Sequence, residues 1–225
     1  MVPTDLQLPI AAIVLGVSAF VIAGGARMLA GGARVAWILG GAGWLAVTGL
    51  LAQRGAFARV DGPPLLPLCV ATALVASVLI ARSQLGARLA QAPLAVLIGL
   101  QAFRLPLELA MHHGAGRGVP IELTFAGFNF DIVTGTSALV LAVLVAVGHA
   151  PRWLIVAWSI LGLACLAVIA GVAIATLPRL HAFGVAPQHL NTWVAHVPFS
   201  WVPAVLVPVA LGGHLLVLRA LHRRS

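Results

Sequence analysis

Apolar residues do not alternate with polar ones along this chain. They run on for stretches of about 20 residues, the length a helix needs to cross the hydrocarbon core of a bilayer, and are broken at Arg, Gly-Arg and Pro-Gly clusters. The runs predict seven helical spans at 8–24, 35–52, 64–81, 89–112, 130–148, 153–177 and 197–218. The expected fold class is an all-α polytopic transmembrane bundle, one domain over residues 1–225. Strands of a membrane barrel alternate apolar and polar positions, so continuous runs exclude that class. Asp5 and no Arg precede the first run, the reverse of a cleaved signal, so that run is read as a span.

Composition agrees. The chain is 61% hydrophobic and 8% charged, against roughly 25% charged in a soluble domain. The net charge of +8 sets 13 basic residues, all arginine, against 5 acidic ones; no lysine occurs. The arginines cluster at the ends of apolar runs, where they mark topology and meet lipid phosphate rather than nucleic acid. Absence of lysine excludes a retinal Schiff base. One set of loops and the tail hold eight arginines: Arg27, Arg34, Arg82, Arg88, Arg152, Arg219, Arg223 and Arg224. The other loops hold four, Arg54, Arg59, Arg117 and Arg179. The bias predicts an outside N-terminus and an inside C-terminus in a bacterial inner membrane. Cys69 and Cys165 lie mid-run as free thiols, with no CxxC or CxxCH pattern for exchange or haem attachment.

An internal echo runs through the chain. VAWILGGAGWLAV (35–47) and VAWSILGLACLAV (156–168) match at 7 of 13 positions in the same direction. The offset fits a parallel duplication of three spans, one, then three, a layout some transporters use. Chance among helices built from Ala, Val, Leu and Gly is the alternative.

Candidate chemistry begins with QAFRLPLELAMHHG, 101–114. Arg104, Glu108 and His112 are spaced by four and fall within an arc of about 80°, which Gln101 joins. His113 points the other way. Charges inside a span must pair or face a wet cavity, and read as functional by default; Arg104 with Glu108 as a helix-packing pair is the bland reading. Pro106 between them predicts a kink. In VPIELTFAGFNFDIVTGT, 119–136, Pro120 and Gly127 break helix, so the segment lies in the interface or folds back into the bundle. Asn129 or Asp131 caps the fifth span, or Asp131 faces the Arg104 stripe as a buried carboxylate. Glu122 is expected to be solvated. The patterns F-R-x-P-x-E and T-F-x-G-x-N-F-D over 103–131 resemble those of bacterial multi-spanning proteins of no assigned function, so the resemblance implies no activity.

Five histidines, His112, His113, His181, His189 and His196, fall on the outer side, and histidine is both a metal ligand and a proton carrier near neutral pH. His112, His189 and His196 are the expected metal set, although no HExxH spacing occurs. His214 reads as a hydrogen-bonding residue between helices, and His149 and His222 as inner-surface residues. Trp37, Trp153, Trp158, Trp193 and Trp201 read as interfacial belts; Trp44, mid-span, has no assigned role.

Two main function classes survive. The favoured one is an outward-facing polar site of Arg104, Glu108, His112 and Asp131, with Gln101 and Asn129 holding the bound group. It would hold a divalent metal that activates water, or clamp a small anionic or lipid headgroup beside a general base; a bis-histidine haem is a minor branch. The other is a proton-coupled small-solute transporter. A subunit role, with a membrane-protein partner or a second copy against the stripe, is the bland alternative.

Overall fold

The computed structural model describes residues 4–59 and 61–223, so Arg224 lies outside the described residues. The chain is 76% helical, with no strand among the described residues. The main helices are α1 (Gln7–Met28), α2 (Gly31–Gln53), α3 (Leu65–Arg82), α4 (Gln84–Leu89), α5 (Leu94–Gly99), α6 (Arg104–His113), α7 (Asp131–Ala146), α8 (Arg152–Ala175) and α9 (Val207–His222). Among the described residues six stretches are long and apolar enough to cross a membrane: Thr4–Met28, Gly31–Gln53, Leu65–Arg82, Leu94–His113, Arg152–Ala175 and Val202–His222. The fifth expected span, 130–148, appears as α7, which is apolar but has only 16 residues, or about 24 Å of helix. Large apolar side chains such as Leu39, Val75, Val140 and Leu161 are exposed on the outside of the bundle, as a lipid-facing surface requires.

Two ends organise the molecule. At the first, Asp5 Oδ2 meets His113 Nε2 at 3.2 Å and Arg117 Nη1 at 3.0 Å. At the other, the Arg219 guanidinium donates to the carbonyls of Ala81 and Ser83, and Arg223 to that of Ala87 at 2.7 Å. Helix directions place Arg54, Arg59, Arg117 and Arg179 at the His113 end. Arg27, Arg34, Arg82, Arg88 and Arg152 join Arg219 and Arg223 at the opposite end.

The fourth expected span is one axis built from several pieces. α5 leads into a 3-10 turn over Leu100–Phe103, and α6 follows. Pro106 explains the tightening: it has no N–H for the Ala102 carbonyl and its ring crowds that carbonyl. Pro208 acts similarly in α9. The helix opens into a π turn over Val202–Leu206, and Pro208 offers no N–H to the Ala204 carbonyl. Trp44 Nε1 donates to that oxygen at 2.8 Å instead, which gives this mid-span tryptophan its role. Trp201 Nε1 returns a bond to the Leu45 carbonyl at 3.2 Å, and the two indoles fasten the otherwise exposed α2 to the start of the last span.

α7 runs antiparallel to the α5–α6 axis. Gly135 lies on the Arg104–Leu105 backbone and Gly99 faces Ala142, so Asp131 is level with Glu108. The last turn of α6 therefore has no helical neighbour in α7, and the irregular segment 114–130 fills that depth. Glu122, Leu123, Thr124 and Asn129 of this segment are buried. Two apolar cores result. One, toward the His113 end, contains Leu6, Ile10, Met111, Trp193 and Phe199. The other, toward the Arg219 end, contains Ile98, Leu141, Ile155 and Val217. Between them sits a polar layer.

Candidate functional site

The polar layer is organised by Asn129. Its Oδ1 accepts the Asp131 backbone N–H at 3.1 Å, an Asx-type turn that starts α7. Its Nδ2 donates to Glu108 Oε1 at 2.6 Å and to the Leu123 carbonyl at 3.1 Å. One side chain thus fixes the head of α7, the fold of the irregular segment and the orientation of the Glu108 carboxyl. Asp131, placed by that turn, accepts from Arg104 Nη1 at 3.3 Å. Gln101, one turn below on the same axis, donates through Nε2 to the Ala210 carbonyl at 3.1 Å.

The ion pair differs from the one the spacing suggests. Arg104 pairs with Asp131, 27 residues on, while Glu108 is held by Asn129. All of these groups are withdrawn from solvent: Arg104 and Glu108 are each 1% exposed. Several of their atoms have no protein partner within bonding distance, namely Arg104 Nε and Nη2, Glu108 Oε2 and Gln101 Oε1. Nε and Nη2 form the lateral fork of the guanidinium, the edge that grips a carboxylate or phosphate with two parallel bonds. A buried polar atom without a partner costs on the order of 1–3 kcal/mol. These four atoms leave hydrogen-bonding capacity unspent inside the layer.

The expected metal set does not assemble. Among the described residues no three His, Cys, Asp or Glu side chains converge on a common point that could hold a metal ion. His112 leaves the stripe and stacks on Phe125 with ring centroids 4.1 Å apart, its Nδ1 3.5 Å from Thr124 Oγ1. His189 Nδ1 meets Glu122 Oε1 at 2.5 Å, and His196 is exposed. Glu122, expected in solvent, is instead buried and bridges segment 114–130 to the connection that precedes the last span. His113 sits on the exposed clasp to Asp5. Trp193, expected in an interfacial belt, is buried with its ring 5.2 Å from Phe199.

Sequence reasoning underrated His214 and Ser159. Both are fully buried. The His214 ring packs on Gly162 and lies 5.0 Å from the Trp158 ring. A Cβ at Gly162 would stand 2.4 Å from the imidazole, so only glycine admits the ring. The Gly162 signal was present in the sequence, but nothing there said which histidine it served.

Comparison of the chain with protein-family profiles, curated proteins and solved structures finds no match.

Proposed function

We propose that this helical membrane protein crosses the bilayer seven times, with the His113 end outside and the Arg219 end inside. The irregular segment 114–130 completes the short fifth crossing. Successive helices that alternate in direction support this, as do arginines distributed seven to four in favour of the Arg219 end among the described residues.

Within that frame, Arg104, Glu108, Asn129 and Asp131 form a binding site for the acidic headgroup of a small or lipid-like molecule. The observation that carries this reading is the buried, unpartnered Nε–Nη2 fork of Arg104 beside the unpartnered Glu108 Oε2. The fork takes two oxygens of a carboxylate or phosphate. Glu108 Oε2 exchanges a hydrogen bond with the same headgroup and is placed to act as a general acid or base. Segment 114–130 covers the site from the His113 end, and entry lifts it from Glu108 and His189. A proton-coupled carrier is the second reading. It gains support from the buried polar residues His214 and Ser159 further along the bundle, because a carrier needs polar groups beyond a one-sided cluster.

Thermal unfolding in nanodiscs tests the site, with octanoate and octyl phosphate as acid probes and octanol as the neutral control. At a hundredfold excess over Kd a ligand stabilises by about 2.7 kcal/mol. The acids should raise the midpoint by several degrees and octanol should not. Arg104→Gln should abolish the shift, and Glu108→Gln should reduce it. Equal effects of acid and alcohol, or a shift retained in Arg104→Gln, would overturn the assignment. Acid-driven uptake into sealed vesicles would favour the carrier.

A further inference from the structure

His214 is a buried ionisable group that the proposed site leaves unused. It is 0% exposed, and neither ring nitrogen has a protein partner. A neutral imidazole always presents one donor and one acceptor, and burying both unsatisfied is unfavourable. The ring is nonetheless held closely, between the Gly162 backbone of α8, the Trp158 indole and the Thr134 methyl beside Gly162. The ionisable groups that face it are few. The residue before it, Gly213, packs on the Gln101 amide, and Thr134 precedes Gly135, which lies on the Arg104 backbone, so the ring borders the polar layer. Arg104 of α6 is the charge that reaches it, and it opposes a positive imidazole until an anion lies on the fork; Asp131 at the head of α7, Cys165 of α8 and Glu108 lie around Arg104. α5 has no ionisable residue, and those of α3, Cys69 and Arg82, lie toward its two ends.

We infer that His214 is the proton acceptor that accompanies binding of an acid at Arg104, which rests on the acid site proposed above. In this step the O–H bond of the acid breaks, an N–H bond forms on a ring nitrogen of His214, and the anion stays on the Nε–Nη2 fork. Arg104 and Asp131 already cancel. The new imidazolium and the new anion cancel in turn, so the layer gains an acid without gaining net charge. This matters in hydrocarbon, where an uncompensated ion is strongly disfavoured. The bound molecule is thus taken as acid plus proton rather than as a bare anion.

Proton linkage is read by calorimetric titration of octanoate into protein-loaded nanodiscs at pH 7 in buffers of different ionisation enthalpy, with empty discs as the blank. Octanoate is an anion at that pH, so wild type should take up about one proton per octanoate bound. Trp158 adds an internal reporter, because a protonated imidazole against an indole quenches its emission. Emission should fall on octanoate addition in wild type and stay constant in Trp158→Phe, which keeps the proton uptake. His214→Gln should still show the octanoate-induced thermal shift but lose both the uptake and the quench. Binding without proton uptake in wild type would overturn this inference and leave the acid site standing. So would uptake retained in His214→Gln, or lost only in Glu108→Gln. Absence of any thermal shift in wild type would remove the acid site and this inference together. Should His214→Gln not fold, the wild-type and Trp158→Phe data decide the matter.

Discussion

At the scale of single residues, Arg104 shows how far linear spacing reaches. Its position in a span was legible from the placement of charges in apolar sequence, which offered two carboxylates, Glu108 and Asp131, as its neighbours. The partner could not be chosen from spacing alone, because Glu108 lies one helical turn away and Asp131 lies across a loop. The choice is made by packing: Gly135 lets α7 approach the Arg104 backbone, and Asn129 takes Glu108 out of competition. A single buried charge without its partner costs about 3–5 kcal/mol, whereas removing both can be nearly neutral. Arg104→Leu and Asp131→Leu should therefore each be strongly destabilising, and the double variant should recover most of the loss in chemical denaturation. Glu108→Leu should not rescue Arg104→Leu; if it did, the Arg104–Asp131 pairing would be wrong. Trp44→Phe keeps an aromatic ring but leaves the Ala204 carbonyl without the indole N–H, and should lower stability by about 1 kcal/mol.

At the scale of elements, the long spans were legible because uninterrupted hydrophobicity is a strong signal. The fifth run, expected at 130–148, was legible as an apolar helix, but not that α7 stops at 16 residues and leaves the remaining depth to a segment that is buried without being helical. Asn129 and Gly127 set that outcome. Gly127 packs so closely that a Cβ there would stand 2.4 Å from the Ile121 carbonyl oxygen. Gly127→Ala should cost about 2 kcal/mol and loosen residues 121–130 first, seen as faster amide exchange there than in α8. Uniform protection across both would mean that the segment is not a separate cover. The arrangement of the histidines was not legible at this scale. Spacing of seven between His189 and His196 implies a shared face only on a helix, and that connection contains just short 3-10 turns, Pro187–His189 and Trp193–Ala195.

At the scale of the molecule, the proposed orientation places residue 223 on the cytoplasmic side, so a C-terminal reporter active only in the periplasm would reverse it. Cys165 is buried and Cys69 faces the bundle in part. Neither should react quickly with a membrane-impermeant thiol reagent in intact cells, and rapid labelling would reveal a water path. Beyond topology, the short α7 makes the protein's rim uneven. Most of the bundle presents apolar helices of at least 18 residues to lipid, but beside α7 the apolar helix has 16, with exposed Phe128 and Phe130 as an aromatic shoulder above it. On the proposed seven-span topology, lipid next to this flank must thin by several ångströms, at a fraction of a kcal/mol per ångström of mismatch. The bilayer thus becomes a mechanical load on the segment that covers the polar layer. Lengthening the acyl chains from 14 to 20 carbons, a step set by roughly 30 Å average bilayer thickness, should pull segment 114–130 outward and speed its amide exchange. Exchange independent of chain length would mean that membrane thickness has no purchase on the cover.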